Sequence, residues 1–120
     1  AALPAGALTR DRGPVEPPRT GLRWRDLERD VAQSHVVMGW PGAAPLHADA
    51  PTLDVAAALL GTGRASRLYR EVRERSLASS VAAYHYAPTD LGVFVAALEA
   101  PTDRASEAVL ATFAQIRGVA

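Results

Sequence analysis

The chain has 120 residues, enough for one modest domain or part of one, and 48% of them are hydrophobic, as in an ordinary folded protein. Its 13 basic residues, all arginine, balance 13 acidic ones, so the net field that gathers nucleic acid or an anionic membrane is missing. The absence of cysteine excludes disulfides and thiolate metal sites. No apolar run of membrane length and no basic-then-apolar leader is present, which leads us to expect a soluble chain whose compartment stays unassigned.

Residues 1–20 contain Pro4, Pro14, Pro17 and Pro18 with Gly6 and Gly13 and no sustained period, so they read as a linker or tail ahead of a domain over 21–120. Leu22, Trp24 and Leu27, set among Arg23 and Arg25, predict a short first strand. A second strand is expected over 33–40, where Val36, Met38 and Trp40 oppose His35, Val37 and Gly39. Both of its faces are fairly apolar, which favours a central position. Pro41, Gly42 and Pro45 mark a loop.

A helix follows. Leu53, Ala56, Ala57 and Leu60 share one face, and Asp49 and Pro51 stand where a cap and a first-turn proline belong. Gly61, Thr62 and Gly63 break it, because paired glycines are poor helix formers and readily take positive φ. A second, charged helix is expected next, with Leu68, Tyr69 and Val72 as its apolar stripe and Arg64, Arg67, Arg70, Arg73 and Arg75 mostly elsewhere. Two strands, over 79–86 and 91–99, are joined by Ala87, Pro88, Thr89 and Asp90 as an antiparallel hairpin. In the second of them Leu91, Val93, Val95 and Ala97 mark one face, and Phe94, Ala96 and Leu98 the other. Thr102 and Asp103 open a last helix whose stripe is Ala105, Ala108, Val109, Thr112, Phe113 and Ile116, ending at Arg117 and Gly118. This order predicts an α+β fold, a mostly antiparallel sheet with helices on one face.

Few residues point to chemistry. His35, His47 and His85 stand singly, with no pair at ligand spacing, so no metal is expected on this chain. The row Arg64, Arg67, Arg70, Arg73 raises nucleic-acid binding as an alternative from another class. Glu71, Glu74 and the neutral total dilute that field, and Tyr69 is its one interleaved aromatic, so no nucleic-acid partner is expected. Gly61-Thr62-Gly63 lacks both the lysine of a P-loop and the third glycine of a dinucleotide turn. Asp49, Asp54 and Asp90 are too scattered for a paired-carboxylate site.

The run ALLGTGRASRLYREVRERSLASSVAAY, residues 58–84, resembles the segment of the pitrilysin/insulinase (inverzincin) zinc metallopeptidases that reads "lGgGrsSrLyrelRekglaYsv". That family includes mitochondrial processing peptidase. Upstream, VAQSHVVMGWPG and its spacing to Pro51 resemble the preceding strand of the family's second, non-catalytic domain, so the likeness extends over 16–100. It implies the first half of such a domain, from a bacterial zinc metallopeptidase. A half-domain leaves a sheet edge or apolar patch open, which homodimerisation would conceal. The family's His-x-x-Glu-His motif is absent, which implies that zinc belongs to a catalytic domain or partner chain and that this chain alone does not hydrolyse peptides.

The resemblance also implies a site. In related two-domain peptidases this domain presents an arginine and a tyrosine to the zinc centre, holding the substrate backbone and the developing oxyanion. Arg73 matches the arginine, whereas Ser79 stands in the tyrosine's place, and its hydroxyl is too short for the same reach. Two functions follow as expectations: a wall of a peptide-enclosing chamber with Arg73 facing substrate, or a structural or assembly subunit that has lost activity, which Ser79 favours. Without a substrate role, Arg73 would be a solvated helix arginine paired with Glu71 or Glu74.

Overall fold

A computed structural model describes residues 13, 14, 17 and 20–119, so the linker expected over 1–20 lies almost wholly outside the described residues. Three segments of alternating hydrophobicity build the sheet: β1 (Ser34–Gly42), β2 (Ser80–Tyr86) and β3 (Gly92–Ala100). They are antiparallel in the order β1-β3-β2. The period of two sends Val36, Met38 and Trp40 of β1 to the same face as Phe94, Ala96 and Leu98 of β3 and Val81, Ala83 and His85 of β2. On that face lie α1 (Ala50–Gly61), a π turn (Tyr69–Arg73) and α2 (Ala105–Arg117). The expected α+β architecture is therefore the one observed.

The core joins Met38, Phe94, Ala96 and Leu98 of the sheet to Ala57 and Leu60 of α1, Leu68 and Val72 around the π turn, and Ala108 of α2. Leu60, Leu68, Val72 and Leu98 are essentially sealed from water, each such side chain contributing about 1.5–3 kcal/mol. Trp40 meets Phe113 edge-on at 5.7 Å and ties the far end of β1 to α2. The stripes predicted for α1 and α2 face this core as the 3.6-residue period requires.

Four expectations are corrected. The segment around Leu22, Trp24 and Leu27 forms no strand; Leu22 and Trp24 are 91% and 71% exposed. Alternation creates a strand only where a neighbouring edge accepts its hydrogen bonds, and β1 pairs with β3 alone. β3, not β1, is central, and β1 runs through Pro41, because an edge strand tolerates a missing N–H. Among the described residues the outer edges of both β1 and β2 are unpaired.

The second helix is short and leaves α geometry after Arg67 and Leu68, widening to a π turn: Glu74 N–H donates to Tyr69 O at 2.9 Å and Leu77 N–H to Val72 O at 3.0 Å, five residues back in each case. Widening the turn lets Leu68, Val72 and Leu77 all enter the core. Finally, α2 begins at Ala105 with Arg104 as its cap residue, and Thr102 instead accepts a hydrogen bond from Ser34 Oγ at 3.3 Å. The turn closed by Arg104 N–H on Pro101 O delays the helix.

Ser76 ends the π-turn segment at φ 57°, left-handed backbone that a side chain disfavours. Ser76→Gly is expected to raise the unfolding free energy by about 0.5–1 kcal/mol, read as an upward shift in the urea midpoint. A downward shift would show that the serine side chain contributes more than its backbone strain costs.

Candidate functional site

The π turn sets the direction of Arg73. Its Nε donates to Ser79 O at 3.2 Å, and its guanidinium lies 5.2 Å from the centre of the Tyr69 ring. Arg64 approaches the same ring at 5.7 Å. One nitrogen and one flat face of Arg73 are thus occupied by the protein, which orients the rest of the fork. No carboxylate pairs with it among the described residues; the expected partner Glu71 binds Arg75 instead, at 3.9 Å. The surface-pair expectation for Arg73 is corrected accordingly: Glu71 and Glu74 stand two and one residues from Arg73, spacings that do not bring side chains together on a helix, whereas Arg75 shares the i, i+4 row with Glu71.

Ser79 sits beside it at the sheet margin. Its N–H donates to Glu99 O at 2.8 Å, and its Oγ lies 2.8 Å from Gln33 Oε1 and 3.1 Å from Glu99 O. A hydroxyl has one hydrogen to share between those two acceptors, so that hydrogen is committed to Gln33 and Glu99 and is not offered to a ligand oxygen. Arg73, Ser76, Ala78, Ser79 and Pro101 line an open hollow of about 370 Å³. The two positions singled out in the sequence therefore meet in one place.

The remaining arginines scatter. Arg67 turns to α2, donating through Nε to Gln115 Oε1 at 3.1 Å and through Nη1 to Gly118 O at 2.8 Å. Arg104, which the sequence did not single out, reaches back to Ser76 O at 3.0 Å. The row of arginines is not a continuous ridge: Arg64 and Arg73 converge on the Tyr69 ring, whereas Arg67 is turned to α2.

The histidines are also separate. His35 pairs with Glu99 at 3.4 Å on the helix-free face of the sheet, and His47 with Asp49 at 3.6 Å in the loop before α1. His85 is the buried one, its side chain 2% exposed, with Nδ1 2.8 Å from Asp54 Oδ1 and Nε2 2.9 Å from Ala43 O. Both ring nitrogens face protein oxygens, so neither is turned to an ion. Among the described residues no three His, Asp or Glu side chains gather as a metal site. The donor set present does not fit the family's zinc. The alternation Val81, Ala83, His85 placed this imidazole on the inner face, but nothing in the sequence linked it to Asp54.

The arrangement can hold a carbonyl or carboxylate oxygen through Arg73; it contains no base and nucleophile in contact. Among the described residues no helix is long and apolar enough to cross a membrane. Comparison with known proteins agrees in type. A zinc protease of Streptomyces coelicolor, itself named as uncharacterized, is 42% identical over 69 residues, covering 57% of this chain and 15% of that protein. The crystal structure of a peptidase M16 inactive domain from Pseudomonas fluorescens superposes with a TM-score of 0.68 at 20% identity, over 73% of this chain and 22% of that one. A protease from Helicobacter pylori superposes with a TM-score of 0.60 at 29% identity, over 68% and 22% of the two chains. This chain thus spans less than a quarter of each relative. Residues 3–120 match the family described as the peptidase M16 inactive domain, and with an α+β fold shared by its solved members the chain belongs to that family.

Proposed function

We propose that this chain forms part of the far wall of a peptide-enclosing chamber in a bacterial zinc metallopeptidase, with Arg73 turned toward substrate. The observation that carries the reading is the posture of Arg73: Nε held by Ser79 O, a ring beneath it, and no carboxylate paired with it among the described residues. A guanidinium fixed this way has lost much of its rotamer freedom before a ligand arrives, so a peptide carbonyl gains a hydrogen bond at reduced entropic cost. Zinc and the water-activating carboxylate belong to a catalytic domain or subunit, and no step of hydrolysis is assigned to this chain.

In the full-length protein, Arg73→Ala is expected to lower kcat/KM on unfolded peptides about tenfold, the loss of one charge-assisted hydrogen bond. Cleavage at the parental rate would remove the proposed contact. The second reading, a structural or assembly role, draws on Ser79: its one hydrogen is shared between Gln33 and Glu99, so no donor is left for a substrate oxygen in the tyrosine's place. The unpaired edges of β1 and β2 suit that role, since a second copy or another subunit can add a strand there.

A further inference from the structure

The turn from Ser76 to Ser79 is gripped at both ends by guanidiniums. Arg104 Nη1 donates to Ser76 O at 3.0 Å, and Arg73 Nε donates to Ser79 O at 3.2 Å. Between those anchors lies the hollow of about 370 Å³, whose lining residues Arg73, Ser76, Ala78, Ser79 and Pro101 include one cation and no acid. The nearest acidic side chain in the sheet margin, Glu99, is turned to the opposite face and held by His35 at 3.4 Å. Pro101 in the wall leads into α2, and that helix starts without a side-chain cap. Arg73 is the cation in the wall, and Arg104 reaches its rim through Ser76 O, while Glu107 in the first turn of α2 offsets that helix's positive end.

We infer that this hollow takes a carboxylate of a bound peptide, at its C-terminus or on an acidic side chain, with Arg73 and Arg104 as the two cationic contacts. The inference rests on the proposed substrate-facing role of Arg73 and deepens it by naming the chemical group. Each arginine has given one N–H to the turn and retains others, and a planar fork suits the two oxygens of a carboxylate better than a single carbonyl. Because both guanidiniums are exposed, the attraction is screened by salt and the affinity is modest.

The test is equilibrium binding to the full-length protein at about pH 7, with hydrolysis blocked by neutral phenanthroline and not by an anionic chelator. Three N-acetylated neutral hexapeptides serve as probes: one ending in a free carboxylate, its C-terminal amide, and that amide carrying one internal glutamate. At least one carboxylate-bearing peptide is expected to bind about fivefold tighter than the plain amide, and which of the two does so identifies the source of the group. The preference should shrink at about 0.5 M salt and disappear in Arg104→Gln and in Arg73→Gln. Equal affinity for all three peptides, or a preference that survives both substitutions, would overturn the inference. The wild-type comparison and its salt dependence need no variant, so misfolding of a substituted protein does not leave the question open. If the three peptides bind equally while Arg73→Ala still slows cleavage, the carboxylate assignment fails and the substrate-facing role stands.

Discussion

Gly61→Ala should lower the unfolding free energy by about 3 kcal/mol, seen as a marked fall in the urea midpoint. Gly61 is the last residue of α1, and the natural sequence reading is that it stops the helix by taking a positive φ. The structure gives a different reason. A Cβ at this position would stand 2.6 Å from Ala83 N and 2.9 Å from Ala83 O, both backbone atoms of β2. A side-chain tip can swing aside, but a strand hydrogen-bonded to β3 cannot, so α1 as a whole would have to back away from the sheet. That movement would open the contacts of Ala57 and Leu60 with the core. Gly63 provides the control: its φ is 75° and nothing lies within 4 Å of a built Cβ, so alanine there costs only backbone strain, about 1 kcal/mol. Equal losses at the two positions would refute the close-approach explanation.

Replacing His85 by alanine is expected to cost about 3 kcal/mol as well, by a different route. The ring joins three parts of the fold: β2 itself, α1 through Asp54, and the segment after β1 through Ala43 O. Truncation leaves a cavity at a side chain that is 2% exposed and strands the Ala43 carbonyl. Asp54 itself is 67% exposed and would be rehydrated, so Asp54→Asn should cost much less, about 0.5–1 kcal/mol. His35→Ala and His47→Ala, both at exposed rings, should stay within about 0.5 kcal/mol of the parent. A His85→Ala loss no larger than these would show that the imidazole bridges nothing of consequence.

Local pattern was a sound guide where one period ran long enough to define a face. The stripe Leu53, Ala56, Ala57, Leu60 became α1, and Phe94, Ala96, Leu98 became the inner face of β3, because burying one continuous face is the same problem in any tertiary setting. It failed where the deciding interaction is remote. Leu22 and Trp24 alternate like a strand but pair with neither open edge of the sheet, and the row from Arg64 to Arg73 looks like a helical ridge although Arg67 is turned to α2 while Arg64 and Arg73 meet at Tyr69. Arg73 and Ser79 were recognisable by their place in a family motif, but their shared hollow was not, since Pro101 completes its wall from elsewhere in the chain.

What the chain carries in its own letters is the type of element at each well-patterned stretch, the one-sided sheet, and the missing ligands of a zinc site. Those are properties of spacing and residue chemistry, and spacing is local. The partners of His85, the tight seat of Gly61, the central place of β3 and the aim of Arg73 came only with the tertiary structure. Each depends on which backbone atoms arrive opposite a side chain from distant positions, and that is set by how the layers pack.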